Sequence, residues 1–457
     1  MIEPLKPTPN ALRSLLECDT PQARHFRKDI RKYNSALAFT SVSYNKDSRV
    51  SLRGGIQCFQ IHGELFHYQG PLLAADGQTP AFAQLFFYDP AYATDVRMDR
   101  HPTLDRVILE DLLYMLTHYN PFFQIYKTAR ERLQESADGA YRLLLNPQLR
   151  LIMESGADRR RENLPVGNEV AVILADEFEG ASRRDIVLAV RNPEVGGSPL
   201  TRIDPSHAAY MPLHYVLLFP CGDLGWHYER RLRQDEHVRT KTRLEQRQFY
   251  RYRLHTRTNV FSPIFHAGRL FQQYCVDAFA ACDATALDWL RKNQNKIRAD
   301  VYGGLQDNLI TTDVDLVELG RRVVLPSSFT GGDRFMQKLF QDSMAIVRHF
   351  GKPTLFITFT ANPHWPEILL NVFPAQQPQD RPDLIARVFR LKVKQLLADV
   401  KDGIFGPHQA HVYTIEYQKR GLPHMHLLLW VSSQARFLTA DRIDEVICAE
   451  LPPASWG

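Results

Sequence analysis

The stretch that most constrains the fold is HVYTIEYQKRGLPHMHLLLWV, residues His411–Val431. Its first part, His411–Tyr417, is rich in β-branched and aromatic residues, and its last part, His424–Val431, is a second apolar run. Gly421 lies between the two parts and can supply a tight turn. The sequence therefore predicts two antiparallel strands joined as a hairpin.

The hairpin would bring three potential metal ligands together. Because side chains alternate between the faces of a strand, His424 and His426 should lie on the same face. The turn folds the first strand back, so Glu416 should come near the histidine pair. Two imidazoles and a carboxylate on a rigid sheet could hold a divalent metal ion and leave coordination positions open. The alternative is a pair of hydrogen-bonded core histidines.

Length and composition limit the class of protein. The chain has 457 residues, enough for two to four domains, and its 44% hydrophobic and 23% charged residues are typical of soluble globular proteins. It contains no apolar run of about 18 residues, so we expect no membrane span. The six cysteines are scattered and form no Cys-x-x-Cys pair, which argues against a zinc finger or a disulfide framework. The net charge of +5 permits an anionic partner without requiring one.

We expect four regions along the chain. Residues 1–22 are proline-rich and should form an irregular tail. Residues 23–145 should form an N-terminal domain of mixed β and α structure, and residues 146–324 a basic, partly helical middle region. Residues 325–457 should form a separate palm domain that contains the hairpin.

Local patterns predict the elements of the N-terminal domain. Short strands are expected at Ala36–Tyr44, Gly55–His62 and Glu64–Gln69, with a possible turn at Gly63 between the last two. Helical spacing of apolar residues covers Thr103–Leu116 and Gln124–Ala137. Further along the chain, Gly268–Asp300 reads as one long helix.

The middle region carries a candidate nucleic-acid segment. The stretch Phe249-Tyr250-Arg251-Tyr252-Arg253 alternates rings with guanidinium groups. Such interleaving suits a single strand, because the charges can meet phosphates and the rings can stack on bases. Arg251 and Arg253 are therefore candidate DNA-binding residues. The alternative is an ordinary solvated basic helix face.

The palm should combine helices with an antiparallel sheet. A helix after Gly331-Gly332 carries apolar residues at core spacing (Met336, Leu339, Phe340, Met344 and Val347). A strand at Thr354–Thr360 and an amphipathic helix at Leu384–Val400 precede the hairpin. This order predicts an α+β fold, a helix-backed antiparallel sheet rather than a doubly wound parallel one. No phosphate-binding loop of the G-x-x-x-x-G-K-[ST] type is present, so this chain does not encode a nucleotide-driven motor.

Several long blocks make the chain resemble a known family. LPSSFTGGDRFMQ, GKPTLFITFTANPHWPEI, DRPDLIARVF and EYQKRGLPHMHLLLW are together similar to the Helitron helicase-like (Rep) domain of rolling-circle transposons. HFRKDIRKYNSALAFTSVSYN, GRLFQQYCVDAFA and RIDEVICAELP resemble the same family, so the likeness runs from about residue 24 to residue 452.

The resemblance implies a fold and an activity. It implies that the palm is an HUH endonuclease domain in which His424 and His426 bind Mg²⁺ or Mn²⁺ and Glu416 is the third ligand. The family cleaves single-stranded DNA: the metal polarises the scissile phosphate and a tyrosine attacks it. The stretch from Phe359 to Trp365 is similar to the family's first palm motif, which makes Trp365 a candidate DNA contact.

The resemblance also implies further contacts and a location. Lys419 and Arg420, at the tip of the hairpin, are candidates for binding a phosphate backbone, and an exposed turn is the alternative. Single-stranded DNA is the expected partner, a helicase follows in the same polypeptide in the family, and the expected location is the nucleus.

The chain departs from the family pattern downstream of the histidine pair. The family places its catalytic tyrosines, with a nearby lysine, well beyond this motif, so we expect the sequence to be truncated before them and before the helicase. Tyr413 and Tyr417 precede the motif and are expected to be packing residues, so no catalytic residue is assigned. We therefore expect a transposase fragment that binds metal and single-stranded DNA without forming a covalent adduct.

Two other readings remain. A metal-free DNA-binding or structural remnant of a transposon protein would also carry this sequence. A metal-dependent hydrolase with His-x-His on a strand would need further histidines and an aspartate on later strands, for which there is no room after Val431.

Overall fold

The computed structural model divides into two compact units. The first contains the elements up to Ala286 together with Phe373–Asp380, and the second contains the elements from Leu287 to Val372 and from Arg381 onward. The four predicted regions stay a prediction. The structure describes residues 2–46, 61–72, 74, 77–135, 141–145, 151–155, 171–172, 186–190, 201–231, 243–294, 325–417, 422–432, 439–444 and 447.

The first unit is mainly helical. Its helices are α1 (Asn10–Glu17), α2 (Pro21–Leu37), α3 (Pro90–Arg100), α4 (Arg106–Tyr119), α5 (Pro121–Glu135), α6 (Tyr210–His214), α7 (Gln246–Arg253), α8 (Pro263–His266) and α9 (Arg269–Lys292), the last of which extends past Ala286. Helix α9 confirms most of the predicted long helix, whose residues 295–300 lie outside the described part of the chain. The predicted irregular tail is wrong for α1, because its apolar side chains Leu12 and Leu16 are buried in the core of this unit.

Two small sheets accompany these helices. Strands β1 (Ser41–Lys46), β2 (Ile61–Gln69) and β7 (Thr201–Ile203) form one sheet, and β3 (Tyr141–Leu145), β4 (Leu151–Ser155), β5 (Ala171–Val172) and β6 (Ile186–Val190) form the other. The predicted first strand begins later than Ala36, since α2 continues to Leu37. The predicted turn at Gly63 is wrong, because β2 runs through it; residues 55–60 of the predicted second strand lie outside the described residues.

A polar cluster lies buried in the first unit. His67 Nε2 is 2.6 Å from Asp277 Oδ2, and His67 Nδ1 is 3.0 Å from the carbonyl oxygen of Tyr210. Both ring nitrogens of His67 therefore lie within hydrogen-bond distance of a buried oxygen. Tyr215 also donates its hydroxyl to Asp277, at 2.9 Å. The cluster therefore joins β2, α6 and α9 through a buried ion pair.

The surroundings set the protonation of this cluster. Burial by itself would raise the pKa of Asp277, but the charge and hydrogen bond of His67 outweigh it and hold that pKa below its ordinary value. His214 is also fully buried, and the loss of hydration together with the positive charge of His67 lowers its pKa to about 3. His214 is thus neutral at neutral pH, and Asp277 is ionised.

The second unit contains a small sheet and its helices. Its elements are α10 (Asp333–Phe350), β8 (Leu355–Thr360), α11 (Pro366–Leu369), α12 (Pro382–Lys401), β9 (His408–Tyr417), β10 (Pro423–Val431) and α13 (Ala440–Asp444). The three strands form an antiparallel sheet in the order β8-β10-β9. The predicted α+β class and the helix-backed antiparallel sheet are confirmed. Gly421, the predicted turn residue, lies outside the described residues.

One face of this sheet is covered by α12. Met425, Leu427 and Leu429 of β10 are buried in the same apolar cluster as the inner side of that helix. The helix contributes Ile385, Val388, Phe389, Val393 and Val400. Since residues of β10 alternate, the even-numbered side chains, including both histidines, lie on the other face.

Helix α10 does not have the role that its sequence predicts. None of its side chains is buried, and Met336, Leu339 and Phe340 are 56%, 45% and 59% exposed. The expectation that they form core is therefore wrong. Amphipathic spacing predicts the helix correctly, but it does not determine whether another element covers the apolar side. No helix among the described residues is long and apolar enough to cross a lipid bilayer.

Candidate functional site

The histidine pair lies on the sheet face opposite to α12. His424 and His426 are half-buried and alternate with the buried Met425 and Leu427 along β10. Their ring centroids are 4.4 Å apart and the rings are nearly perpendicular, at 75°. The alternation of the sequence thus places both imidazoles side by side on one face.

Neighbouring strands complete this surface. Glu416 of β9 and Thr360 of β8 lie directly opposite His424, while Thr414 and Thr358 lie opposite His426. Directly paired residues of an antiparallel sheet share a face. We call this surface the histidine face and define it by the following side chains: Phe356, Thr358, Thr360, Thr414, Glu416, His424 and His426.

Threonine hydroxyls orient both imidazoles. Thr360 Oγ1 lies 2.6 Å from His424 Nδ1, and Thr358 Oγ1 lies 3.3 Å from His426 Nδ1. If Nδ1 donates its hydrogen to the hydroxyl, the lone pair of the neutral ring is on Nε2. Histidines that bind metals are commonly held in this way by a hydrogen bond to the second ring nitrogen. The two rings therefore fit the role of metal ligands.

The carboxylate of Glu416 is not placed beside the two imidazoles as a third ligand. Glu416 is exposed, and its backbone is in register with His424. Within the part of the chain that the structure describes, however, no group of three His, Cys, Asp or Glu side chains is arranged to hold a metal ion. Rotation of the exposed Glu416 side chain would be required to bring its carboxylate to a metal held by the imidazoles.

The histidine face also presents an aromatic ring. Phe356 of β8 is 64% exposed, and its ring is nearly parallel to that of His426, with centroids 5.4 Å apart and an angle of 14°. An exposed phenylalanine beside polar groups on a sheet surface is the type of side chain on which a nucleic-acid base can stack.

The tyrosines and other histidines of β9 lie on the covered face. Tyr413 pairs with Leu427 and packs against the α12 side of the sheet, as its predicted packing role requires. Tyr417 pairs with Pro423 and is 65% exposed, so it does not pack as predicted. Both tyrosines thus belong to the face opposite to the histidine pair.

Two other histidines of β9, His408 and His411, do not reach the pair. His411 is opposite Leu429 and His408 is opposite Val431, so both lie on the α12 side. His408 Nε2 and His411 Nδ1 are hydrogen-bonded to each other at 2.8 Å. Burial, with the nearby charges of His408 and Lys401, lowers the pKa of His411. Neither residue can replace Glu416 as a third ligand, because both lie on the other side of the sheet from the histidine pair.

The predicted DNA contacts of the palm are only partly described. Lys419 and Arg420 lie outside the described residues. Trp365 is half-buried and its ring is near that of Phe359, with centroids 5.9 Å apart, on the α12 side of the sheet. Lys392 lies over the same ring at 5.6 Å. These contacts make Trp365 a packing residue of the second unit, and its role in DNA binding stays a prediction.

The two arginines of α7 have different surroundings. Arg251 is exposed. Arg253 is only 6% exposed, donates from Nη1 to the carbonyl oxygen of Glu3 at 2.8 Å and packs over Phe249. Burial also lowers the pKa of Arg253. Its guanidinium is thus enclosed within the first unit, and the DNA-binding roles of Arg251 and Arg253 stay predictions.

Sequence reasoning missed Thr358, Thr360 and Phe356. Their signal was the alternation within LFITFT, where every second residue is directed to one face of β8. The pairing of β8 with β10 could not be read from that pattern, because β8 and β10 are more than sixty residues apart in the chain. Only this pairing places the threonines against the histidines.

Part of the chain matches a known family model. Residues 249–429, about 40% of the chain, match the model of the Helitron helicase-like domain at the N-terminus. The match extends from α7 almost to the end of β10 and contains the histidine face. No significant match was found among curated proteins.

Proposed function

We propose that the histidine face binds a divalent metal ion and single-stranded DNA, because residues 249–429 match the model of the Helitron helicase-like domain. The observation that carries this proposal is the side-by-side placement of His424 and His426, each with Nδ1 at a threonine hydroxyl. The proposed role is that of the DNA-processing palm of a rolling-circle transposon protein.

Each side chain of the histidine face has a distinct part in this proposal. His424 and His426 would hold Mn²⁺ or Mg²⁺, and Glu416 would add a carboxylate. Thr358 and Thr360 would fix the imidazole rings. When bound, the metal would polarise a phosphate oxygen of the DNA backbone. Phe356 would provide a ring for a neighbouring base.

The same geometry limits the chemistry that β9 can supply. A tyrosine nucleophile must reach the phosphate that the metal contacts. Tyr413 and Tyr417 lie on the opposite side of the sheet from the histidine pair. We therefore assign neither of them as a nucleophile. The proposal is restricted to metal and DNA binding. Strand cleavage is the reaction for which the bound metal would be used.

A binding experiment with the full chain tests the proposed function. A fluorescent single-stranded oligonucleotide should bind more tightly with Mn²⁺ than with EDTA, and the affinity should fall as salt rises, because phosphate contacts release counterions. The measurement is fluorescence anisotropy at several salt concentrations. Equal binding with Mn²⁺ and with EDTA would instead indicate a metal-free DNA-binding remnant, and no binding in either condition would contradict the proposal entirely.

Replacing Thr360 with valine tests how the imidazole is oriented. Valine keeps the β-branched shape but removes the hydroxyl that lies 2.6 Å from His424 Nδ1. We expect Mn²⁺ affinity to fall by about 10- to 100-fold, the usual effect of losing a hydrogen bond to a ligating histidine. Titration calorimetry measures the Mn²⁺ affinity of the variant and of the wild type. Thr414→Val, on the same face but across from His426 on β9, is the control and should leave the affinity nearly unchanged.

A further inference from the structure

The outer side of helix α12 carries an uncovered row of positive charge. Ile385, Phe389 and Val393 are directed to the sheet, and the opposite side of the helix is exposed. That side includes four basic residues, which we call the basic stripe: Arg387, Arg390, Lys394 and Lys401. At 100° per residue all four lie within about 60° of one another around the helix axis.

Carboxylates of the helix do not neutralise most of the stripe. Asp383 is bound by Arg381 and Arg387, and Asp399 accepts a hydrogen bond from Gln395. Among the residues that the structure describes, no carboxylate lies within ion-pair distance of Arg390 or Lys394. Like charges four residues apart repel each other along a helix, so this spacing does not stabilise the helix itself.

Two members of the stripe have a structural explanation, since Arg387 is paired with Asp383, and two do not. Lys401 is in the last turn of α12, where a cation is stabilised by the helix dipole. Arg390 and Lys394 lie in the middle of the helix, where that effect has decayed. Their exposure and lack of partners therefore indicate a surface that is complementary to an external anion.

The absence of aromatic rings from the basic stripe indicates which kind of nucleic acid it would bind. The exposed residues between its cations are Leu391, Gln395 and Ala398, and none carries a ring. Single-stranded nucleic acid is usually held by stacking rings as well as by charge, whereas contacts to a duplex backbone do not need stacking rings. From Arg390 to Lys401 the stripe extends about 16 Å along the axis, and a duplex carries one charge per about 1.7 Å.

We propose that the basic stripe of α12 binds the phosphate backbone of double-stranded DNA, on the side of the palm sheet away from the histidine face. The two surfaces then have different ligands: the histidine face takes a single strand and the stripe takes duplex. The inference rests on the proposed function only in that DNA is the ligand, and it requires no metal ion.

The test compares two double variants of the full chain. Arg390→Gln/Lys394→Gln removes two charges from the stripe, and Lys338→Gln/Arg348→Gln removes two exposed charges from α10 of the same unit. Binding of a labelled duplex and of its separate strand is measured by anisotropy at several salt concentrations. Circular dichroism confirms that both variants fold.

We expect the stripe variant to lose at least about tenfold in duplex affinity, with a salt dependence of log K shallower by about 1.8, since each phosphate contact contributes about 0.9. The α10 variant should retain the duplex affinity. An equal loss in both variants would show a general charge effect and overturn the proposal. A stripe variant that loses only single-strand binding would overturn it as well.

Failure of this inference is distinguishable from failure of the proposed function. The stripe variant should bind Mn²⁺ as the wild type does, because Arg390 and Lys394 are on the far side of the sheet from the histidines. Wild-type protein that binds Mn²⁺ and single strands but not duplex overturns only the inference. Stripe-dependent duplex binding without Mn²⁺ binding overturns only the proposed metal site.

Discussion

Replacing His424 and His426 together with alanine should lower the affinity of the full chain for Mn²⁺ by at least about 100-fold. Loss of a single supporting hydrogen bond typically costs 10- to 100-fold, so loss of both nitrogen ligands should cost more. In this variant the remaining proposed ligand is Glu416, whose single exposed carboxylate on β9 would bind Mn²⁺ weakly. The signal of free Mn²⁺ in electron paramagnetic resonance gives the bound fraction directly.

The control for this experiment is a histidine away from the sheet face. His349 is exposed on α10, and His349→Ala removes the same chemical group without touching β10. It should leave the Mn²⁺ affinity unchanged. If the double variant bound Mn²⁺ as tightly as the wild type, the two imidazoles would be ordinary hydrogen-bonded side chains of the sheet, and the metal would have to be assigned elsewhere.

The second large effect is expected in the first unit. Asp277→Asn should lower the free energy of unfolding by about 3–5 kcal/mol, because removing one partner of a buried ion pair leaves the other without compensation. His67 and Asp277 are both nearly inaccessible to solvent, and their side chains are 2.6 Å apart. Two tyrosine hydroxyls, of Tyr210 and Tyr215, also lose their charged acceptor. Denaturant unfolding followed by circular dichroism measures the change.

An exposed aspartate provides the matched comparison. Asp111 lies on the solvent side of α4, and Asp111→Asn should change the stability by less than about 0.5 kcal/mol. If Asp277→Asn changed the stability as little as Asp111→Asn does, the buried pair of His67 and Asp277 would not provide the expected stabilisation.

The effect of Asp277 should also depend on pH in one direction. The pKa of its carboxyl is lower in the folded protein than in the unfolded chain, where it is about 3.9. Its stabilisation is therefore fully present above about pH 4 and is lost as pH falls through the folded pKa. The difference in stability between wild type and Asp277→Asn should be large at pH 7 and narrow below pH 4.

The sequence alone determined much of the histidine face. Once HMHLLLWV is read as a strand, the two-residue period of its side chains places His424 and His426 on one side and Met425 and Leu427 on the other. The short connection between β9 and β10 likewise restricts their register, which is why Glu416 was correctly placed on the neighbouring strand. Both signals are local, so they can be read without a three-dimensional structure.

Other features depended on partners that are distant in the chain. Arg251 and Arg253 look alike in sequence, but only Arg253 is enclosed, since Glu3 and Phe249 surround its guanidinium. The pairing of His67 with Asp277 joins residues 210 positions apart. No local periodicity encodes such pairs. They are decided when helices and strands pack, because burial makes an unpaired charge costly and selects the partner that satisfies it.

Helix α10 also shows that local sequence does not determine burial. Its sequence has the apolar spacing of a core helix, yet Met336, Leu339 and Phe340 remain exposed. Helix α12 has a similar pattern, and its apolar side is covered by the sheet. An amphipathic pattern is a property of one segment, and it fixes the helix and its apolar side. Burial is a property of two segments, so only the tertiary structure decided which helix backs the sheet and which sheet face is left for the histidines.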